Sequence, residues 1–335
     1  MSKPKPHHRI VVTDFLDETR IETPVLSDLA RIDTLLATHE ADLRGKLSDA
    51  HIMLVYHDVA RLGDATFSQA ESCVGIIRAG VGYNNIDIEA AAARGIVVCN
   101  VPDYGSEDVA DHALMMLLAV ARRLVDSHLA IRAGGWDHQL IVGAPRMRGR
   151  TLGIVGCGRI GTAMALRAKA LGMRVLYYDP YVKPGTDKAI GIIQADTLHE
   201  LLAESDFVSL HCYLDESSHH LMNAQAFAAM KPGAILINTA RGPVVDQNAL
   251  VDALNSGQVG GAGIDVTERE PLDDDRLRYH PRVLLTPHVA FYSVEGFLEM
   301  RLKAAQEARR LLLGQTPRNP VNLHLIPQGR RRLSV

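Results

Sequence analysis

The sequence predicts an α/β protein of two domains, each a doubly wound parallel sheet. Short apolar, β-rich runs alternate with helical patterns almost throughout, which is the mark of stacked βα units. At 335 residues the chain is long for one core and natural for two. The third observation is "GAILINTARGPVVD" (233–246), where an apolar run bounded by Pro232-Gly233 and Gly242-Pro243 hands over at once to Asn238, Thr239 and Arg241. Such a run reads as a buried strand, and open α/β sheets bind ligands outside the carboxyl ends of their strands.

In chain order, "RIVVTDF", "HIMLVYH", "VGIIRAG" and "GIVVCN" read as the strands of a first, small sheet. Between the last two, "NNIDIEAAAARG" has an acidic start, a run of alanines and a closing Gly95, the pattern of a short helix. After Pro102, "SEDVADHALMMLLAVARRL" opens with a Ser106 cap and an acidic turn and ends in arginines, so it reads as one long connecting helix. A polar, Gly-rich stretch carrying the only tryptophan, Trp136, leads to a second series of strands: "LGIVG", "RVLYYD", "DFVSLH", "AILIN", "GAGIDV" and "VLLTPH". A last amphipathic helix spans about 294–313 and stops at Gly314, and "TPRNPVNLHLIP" after it is extended. The middle of the chain is therefore the cofactor domain, and the chain's end is expected to complete the first.

Composition excludes several classes of function. A formal charge of −3 with 22% charged residues leaves no clustered excess of Lys and Arg for nucleic acid or a membrane surface. The basic ends, "KPKPHHR" and "GRRRLSV", read as solvated termini. Cys73, Cys99, Cys157 and Cys212 are widely spaced, which argues against a disulfide framework or zinc site and for a reducing, cytoplasmic compartment. His219-His220 and His7-His8 lack ligand spacing and read as solvated, so no metal is expected. The N-terminus has no apolar signal-peptide core, and no run is long enough to span a bilayer.

Gly156-Cys157-Gly158-Arg159-Ile160-Gly161 forms a GxGxxG directly after a strand and at the start of a helix. Glycines there permit a tight turn, let backbone amides approach a pyrophosphate and seat the helix against the strand. The next strand ends in Asp179, 18 residues beyond Gly161, where a carboxylate would accept from a ribose 2′-OH and repel a 2′-phosphate. The ensemble predicts a dinucleotide site for NAD in preference to NADP.

Polar groups also gather at downstream strand ends: Arg241 after "AILIN", Asp265 at the end of "GAGID" with Glu270 beyond it, and His288 after "VLLTP". Each alone has an ordinary use, as a surface ion pair, a solvated acid or a capping histidine. Together they match the needs of 2-keto acid reduction. A guanidinium would grip the substrate carboxylate, an imidazole would exchange a proton with the carbonyl oxygen, and a carboxylate would orient that imidazole.

"RAGVGYNNIDIEAAAARGIVVCNVP", "LGIVGCGRIG", "YYDP", "MKPGAILINTARGPVVD", "GAGIDVTEREP" and "TPHVAFYS" together resemble the D-isomer-specific 2-hydroxyacid dehydrogenase family, in family order. The resemblance implies two Rossmann-like domains with the active site in the cleft between them. Residues 1–105 plus 296–335 would form the substrate domain and 106–295 the NAD-binding domain, with hinges near 102–106 and 292–294. It implies that Arg241 anchors the substrate, that Glu270 pairs with His288 and that His288 is the acid/base. It further implies that Asp265 lies at the nicotinamide, that Cys212, Thr239 and Ala240 line the cofactor cleft, and that amides at Val81 and Gly82 meet the substrate carboxylate. The helix from Ser106 would help form a homodimer.

Within the family, "ETPVLSDLARI", "LVYHD", "ALRAKALGMRVLYYDPYV", "LHCYLDESSHHLMN" and "AFYSVEGFLEMR" are similar to the C-terminal-binding proteins, NAD-binding corepressors. That likeness adds Arg78 as a second substrate contact. Phe291 stands where those corepressors carry tryptophan, and Asn84 replaces a more usual aspartate. An NAD-sensing binding protein and a 3-phosphoglycerate dehydrogenase are the alternatives to a general 2-keto acid reductase.

Overall fold

The computed structural model describes residues 8–327 and Gly329, so His7, the start of the N-terminal basic stretch and most of the C-terminal one lie outside the described residues. The chain divides into two compact units, one of residues up to Gly105 together with those from Ser293, the other Ser106–Tyr292. No helix among the described residues is long and apolar enough to cross a membrane.

The first unit is built on a five-stranded parallel sheet, ordered β2-β1-β3-β4-β5. Its strands are β1 (His8–Val12), β2 (Ala30–Thr34), β3 (Ile52–Val55), β4 (Gly75–Arg78) and β5 (Val97–Asn100). Strands β3, β4 and β5 are almost wholly buried and correspond to the apolar runs of the sequence. Strand β2, "ARIDT", was not among those runs. It is an edge strand whose exposed Arg31 and half-buried Asp33 are held by ion pairs, Arg9 Nε to Asp33 at 2.6 Å and Arg31 Nη2 to Asp49 at 3.0 Å, and edges favour charge over grease. Asp87 caps the helix Ile88–Ala93 by accepting from the Ala90 amide at 2.9 Å.

The chain's end returns to this unit. The helix Val294–Leu312 begins at Ser293, whose side chain accepts from Gly296 N, and Gly314 follows it with φ +67°. Its Arg301, buried, donates from Nε and Nη2 to the two oxygens of Glu22, each at 2.7 Å, and from Nη1 to Glu18 at 2.6 Å. Farther on, fully buried Asn322 accepts from Val98 N at 2.9 Å and donates to Ile96 O at 3.0 Å. The tail segment, expected to be extended, forms no strand: it bends at Arg318 and Asn319, makes one bridge from Pro320 to Cys99 and then a 3-10 turn at Leu323–Leu325.

The second unit holds a seven-stranded parallel sheet, ordered β12-β11-β10-β9-β6-β7-β8. The strands are β6 (Thr151–Val155), β7 (Arg174–Tyr178), β8 (Ile193–Gln194), β9 (Phe207–Leu210), β10 (Ala234–Asn238), β11 (Val259–Ile264) and β12 (Val283–Leu285). Chain order reverses where β9 pairs with β6, so the crevice of a doubly wound sheet opens at the ends of those two strands. Strand β8, two exposed residues at the edge, is too short to show any period in the sequence.

One expectation fails in this unit. The long connecting helix runs only Ser106–Ala121, because Arg123 adopts a left-handed conformation (φ +50°) and turns the chain into a separate helix, Leu124–Arg132. Pattern alone missed the break because leucines and arginines continue through it, and nothing in "ARRLV" forbids a helix.

Candidate active site

Strand β6 delivers the chain into the turn Gly156–Gly158. Gly156 has φ +90°, and a Cβ there would lie 2.5 Å from Cys212 N and 2.7 Å from the His211 carbonyl carbon, so the turn presses on the end of β9. Gly161 presses in turn on the Gly156 carbonyl, which seats the helix Arg159–Ala170 against the strand. Gly158 precedes that helix, and a Cβ at this position would meet nothing within 4 Å. The amides of Arg159 and Ile160 donate no hydrogen bond among the described residues, which leaves the positive end of the helix facing open space.

At the end of β7, Asp179 closes the turn from the other side, accepting from Cys157 N at 2.8 Å and Tyr181 N at 2.9 Å. Two polar atoms at the neighbouring strand ends lack any partner: Thr239 Oγ1 beyond β10, on a residue 8% exposed, and His211 Nδ1 beyond β9. Burial pushes the His211 imidazole down to about 4 and the Cys212 thiol up to about 11, so both are neutral near pH 7. Buried donors and acceptors normally find partners. Free amides, an open glycine, a fixed carboxylate and two orphaned side chains around one crevice fit a dinucleotide. Gly156, Gly158, Arg159, Ile160 and Gly161 would hold its diphosphate, Asp179 its ribose.

On the other half of the sheet, β10 explains why an apolar run ends in polar residues. Asn238 is buried and clamps the turn that follows, accepting from Ala240 N and donating to Arg241 O, both at 3.0 Å. Arg241 leaves this turn with its Nη1 donating to the Ala240 carbonyl at 2.6 Å. A side chain at Gly242 would collide with the Thr267 carbonyl, so this loop lies directly on the one that carries Glu270.

Beyond β11 and β12 lies the expected pair of His288 and Glu270. His288 Nδ1 and Glu270 Oε2 are 2.7 Å apart, with the two side chains 38% and 40% exposed. Burial works to raise the Glu270 carboxyl, but the hydrogen bond and charge of His288, the Thr267 amide and the charge of Arg241 together bring it below the ordinary carboxylate value. Glu270 is therefore an anion near neutrality. An anionic carboxylate only accepts, so Nδ1 carries the shared proton and Nε2, which has no hydrogen-bond partner among the described residues, is the atom left to exchange one.

His288 itself has φ +53°, a conformation rare for a side-chain-bearing residue, and its amide donates to the Asp265 carbonyl at 2.8 Å. Asp265, 3% exposed, holds the rest of the turn: one oxygen accepts from Thr286 Oγ1 at 2.6 Å and Val289 N at 2.9 Å, the other from Ala290 N at 3.1 Å. The sequence "TPH" assigns no role to Thr286, because a hydroxyl's partner depends on tertiary position. The Phe291 ring stands edge-on to His288, centroids 6.4 Å apart.

The expected substrate contacts of the first unit have their own geometry. Arg78 ends β4 and donates to the Ala79 carbonyl at 2.7 Å, its guanidinium filling the space over Gly80. The Val81 carbonyl accepts from Asn100 Nδ2 at 2.7 Å, while the amides of Val81 and Gly82 donate no hydrogen bond among the described residues. The adjacent histidines need correction. His220 is not merely solvated: with φ +49° it stacks on His219, centroids 4.1 Å apart, and its Nε2 lies 2.8 Å from Glu268 Oε1.

Residues 114–290 match the family profile described as the D-isomer specific 2-hydroxyacid dehydrogenase, NAD binding domain. The chain belongs to this family. It is 35% identical over 320 residues to a D-3-phosphoglycerate dehydrogenase of Methanocaldococcus jannaschii, an alignment covering 96% of this chain and 60% of that protein. The chain thus spans less than two thirds of the length of that relative. Among solved structures, a glyoxylate reductase from Paecilomyes thermophila superposes with TM-score 0.86 at 30% identity, covering 94% of this chain and 98% of that one. An NADPH-dependent glyoxylate/hydroxypyruvate reductase from Sinorhizobium meliloti, in complex with NADP and malonate, gives 0.84 at 31% identity, covering 95% and 97%. These similar proteins carry the names of phosphoglycerate dehydrogenases and glyoxylate reductases rather than of C-terminal-binding proteins, so the family is shown and the corepressor branch is not.

Proposed function

We propose that this family member interconverts a 2-keto acid and a D-2-hydroxy acid using NAD. The observation that carries the reading is the 2.7 Å pair of Glu270 and His288, set at the strand ends with the Arg241 charge acting on the same carboxylate. Bound nicotinamide would supply or accept the hydride. Arg241 would grip the substrate carboxylate and draw charge toward the carbonyl oxygen. His288 would hold the exchangeable proton at Nε2, aimed by Glu270 and by the Asp265 clamp on its backbone. Arg78 and the free amides at Val81 and Gly82 support a second grip on the substrate anion. Asp179 favours NAD over NADP, because its fixed carboxylate would face a 2′-phosphate.

The test is NADH oxidation with glyoxylate, hydroxypyruvate, pyruvate and longer 2-keto acids, and NAD reduction with 3-phosphoglycerate. Turnover lost in His288→Ala and Arg241→Ala with NADH affinity intact supports the enzyme. Tight NADH binding with no turnover on any of these would leave the corepressor-like reading, which rests on the shared stretches around Asp179, Cys212 and Phe291.

We also propose a homodimer. The helix Leu124–Arg132 buries none of its residues, exposes Leu124, Val125, Leu129 and Ile131, and is followed by Trp136, 90% exposed. Four exposed large apolar side chains on one short helix ask for a cover, and a second copy of the chain is the occupant the family resemblance implies. Sedimentation of Leu129→Glu as a monomer, against a wild-type dimer, supports this; a monomeric wild type refutes it.

A further inference from the structure

Behind the clamp on His288 lies a histidine that no part of the reading above uses. His112 sits in the second turn of the helix Ser106–Ala121 with its side chain 13% exposed, and its Nε2 lies 3.0 Å from Thr286 Oγ1. The strand beneath makes that reach possible. Gly261 and Gly263 share one face of β11, and a Cβ on either would run into the helix, 2.8 Å from Val120 Cγ1 and 3.0 Å from Met116 Cβ. Residues 112, 116 and 120 form one ridge at helical spacing, so the two glycines let the whole ridge settle and bring His112 over Thr286.

Proton counting fixes the direction of the chain of bonds. Thr286 has one hydroxyl proton, and its 2.6 Å contact with the Asp265 carboxylate uses it. The hydroxyl can then only accept from the imidazole, so His112 carries hydrogen on Nε2. Asp265 spends its remaining capacity on the amides of Val289 and Ala290, the residues directly after His288.

We infer that His112 is a positioning residue, which through Thr286 and Asp265 holds the 286–290 turn and so the aim of the His288 imidazole. The inference rests on the proposed role of His288, but its structural half stands apart from it. Two measurements separate the two. Amide hydrogen exchange in the apo protein is expected to quicken about tenfold or more at Val289 and Ala290 in His112→Leu and in Thr286→Val, with Ile237 in β10 unchanged. The double variant should be no faster than either single, since both cut one chain of bonds. His112→Gln, which keeps a donor near the Nε2 position, and Thr286→Ser should stay within about threefold of wild type.

In turnover, kcat should fall in parallel with the exchange effect while the NADH dissociation constant and keto-acid KM move by less than about threefold. If His112→Leu fails to fold, Thr286→Val carries the test alone. Unchanged exchange at Val289 and Ala290, effects that multiply in the double variant, or glutamine behaving no better than leucine would overturn the proposal. Quickened exchange in His112→Leu and Thr286→Val, together with a wild type that reduces no 2-keto acid, would keep the turn-holding role and remove the catalytic reading of His288.

Discussion

Gly156 and Gly158 stand two residues apart in one turn, yet alanine should act oppositely at the two positions. At Gly156 the chain is at φ +90°, and the added methyl would press on backbone, Cys212 N at 2.5 Å and Cys212 Cα at 2.7 Å, which cannot rotate away. Left-handed strain costs about 1–2 kcal/mol and overpacking against fixed atoms about 1–3 kcal/mol, so Gly156→Ala should destabilise the apo protein by roughly 2–5 kcal/mol. At Gly158 the backbone is extended (φ −75°, ψ −155°) and the same methyl meets no protein atom within 4 Å. Apo stability should then change by less than about 0.5 kcal/mol. If that open space is the diphosphate seat, the methyl occupies it, and NADH affinity should drop at least about tenfold, some 1.4 kcal/mol. Urea denaturation followed by circular dichroism reads the first quantity, and NADH fluorescence titration the second. A Gly158→Ala protein that binds NADH like wild type would refute the assignment of this turn to the coenzyme. A Gly156→Ala protein of wild-type stability would refute the contact geometry.

Glu270→Gln keeps the shape of the acid/base pair and removes its charge, so kcat/KM should fall by about 10²-fold or more while the NADH dissociation constant holds; an unaffected rate constant would dismiss the pairing as incidental. Asp179→Ser should raise the ratio of NADPH to NADH efficiency by at least about tenfold, and a ratio that stays put would show the ribose is read elsewhere. In the first unit, Arg301→Met strands the Glu22 carboxylate, 0% exposed, and should cost about 3–5 kcal/mol, much of it recovered when Glu22→Gln is added; a single variant with no loss in urea midpoint would contradict the buried pair. Its neighbour Glu18 has its carboxyl lowered chiefly by the Arg301 hydrogen bond. A lowered folded value means stability that is present above the unfolded value, near 4.5, and lost as pH falls through the folded one. The gap in urea midpoint between wild type and Glu18→Gln should therefore be full at about pH 6 and close toward about pH 3, and a gap that widens in acid would reverse the sign of the linkage.

The candidate site left clearer marks in the sequence than the elements around it, for physical reasons. Gly156, Gly158 and Gly161 are readable because a dinucleotide turn demands absent side chains at fixed spacing, and Glu270 and His288 because strand ends advertise themselves as apolar runs stopping short. Strand β2 was illegible since an edge needs no apolar period, and Arg31 and Asp33 look like loop residues until their ion pairs are seen. The break at Arg123 is one residue's backbone angle, invisible to composition. Thr286 and His112 were missed for a different reason. They lie 174 positions apart in sequence, and only the glycine face of β11, which lets a helix settle closely, makes them neighbours. "GGAGI" does carry that signal, since alternating glycines in a buried strand ask what has come so near.

The order in which these bonds can form during synthesis follows from the two partners that arrive late. A nascent chain that has emerged as far as Leu285 already holds every strand of the seven-stranded sheet. At that moment Glu22 still waits for the guanidinium of Arg301, and the Val98 amide for the side chain of Asn322. Residues 106–292 can therefore mature on the ribosome while residues 8–105 remain an unfinished template until Arg301 and Asn322 have been translated.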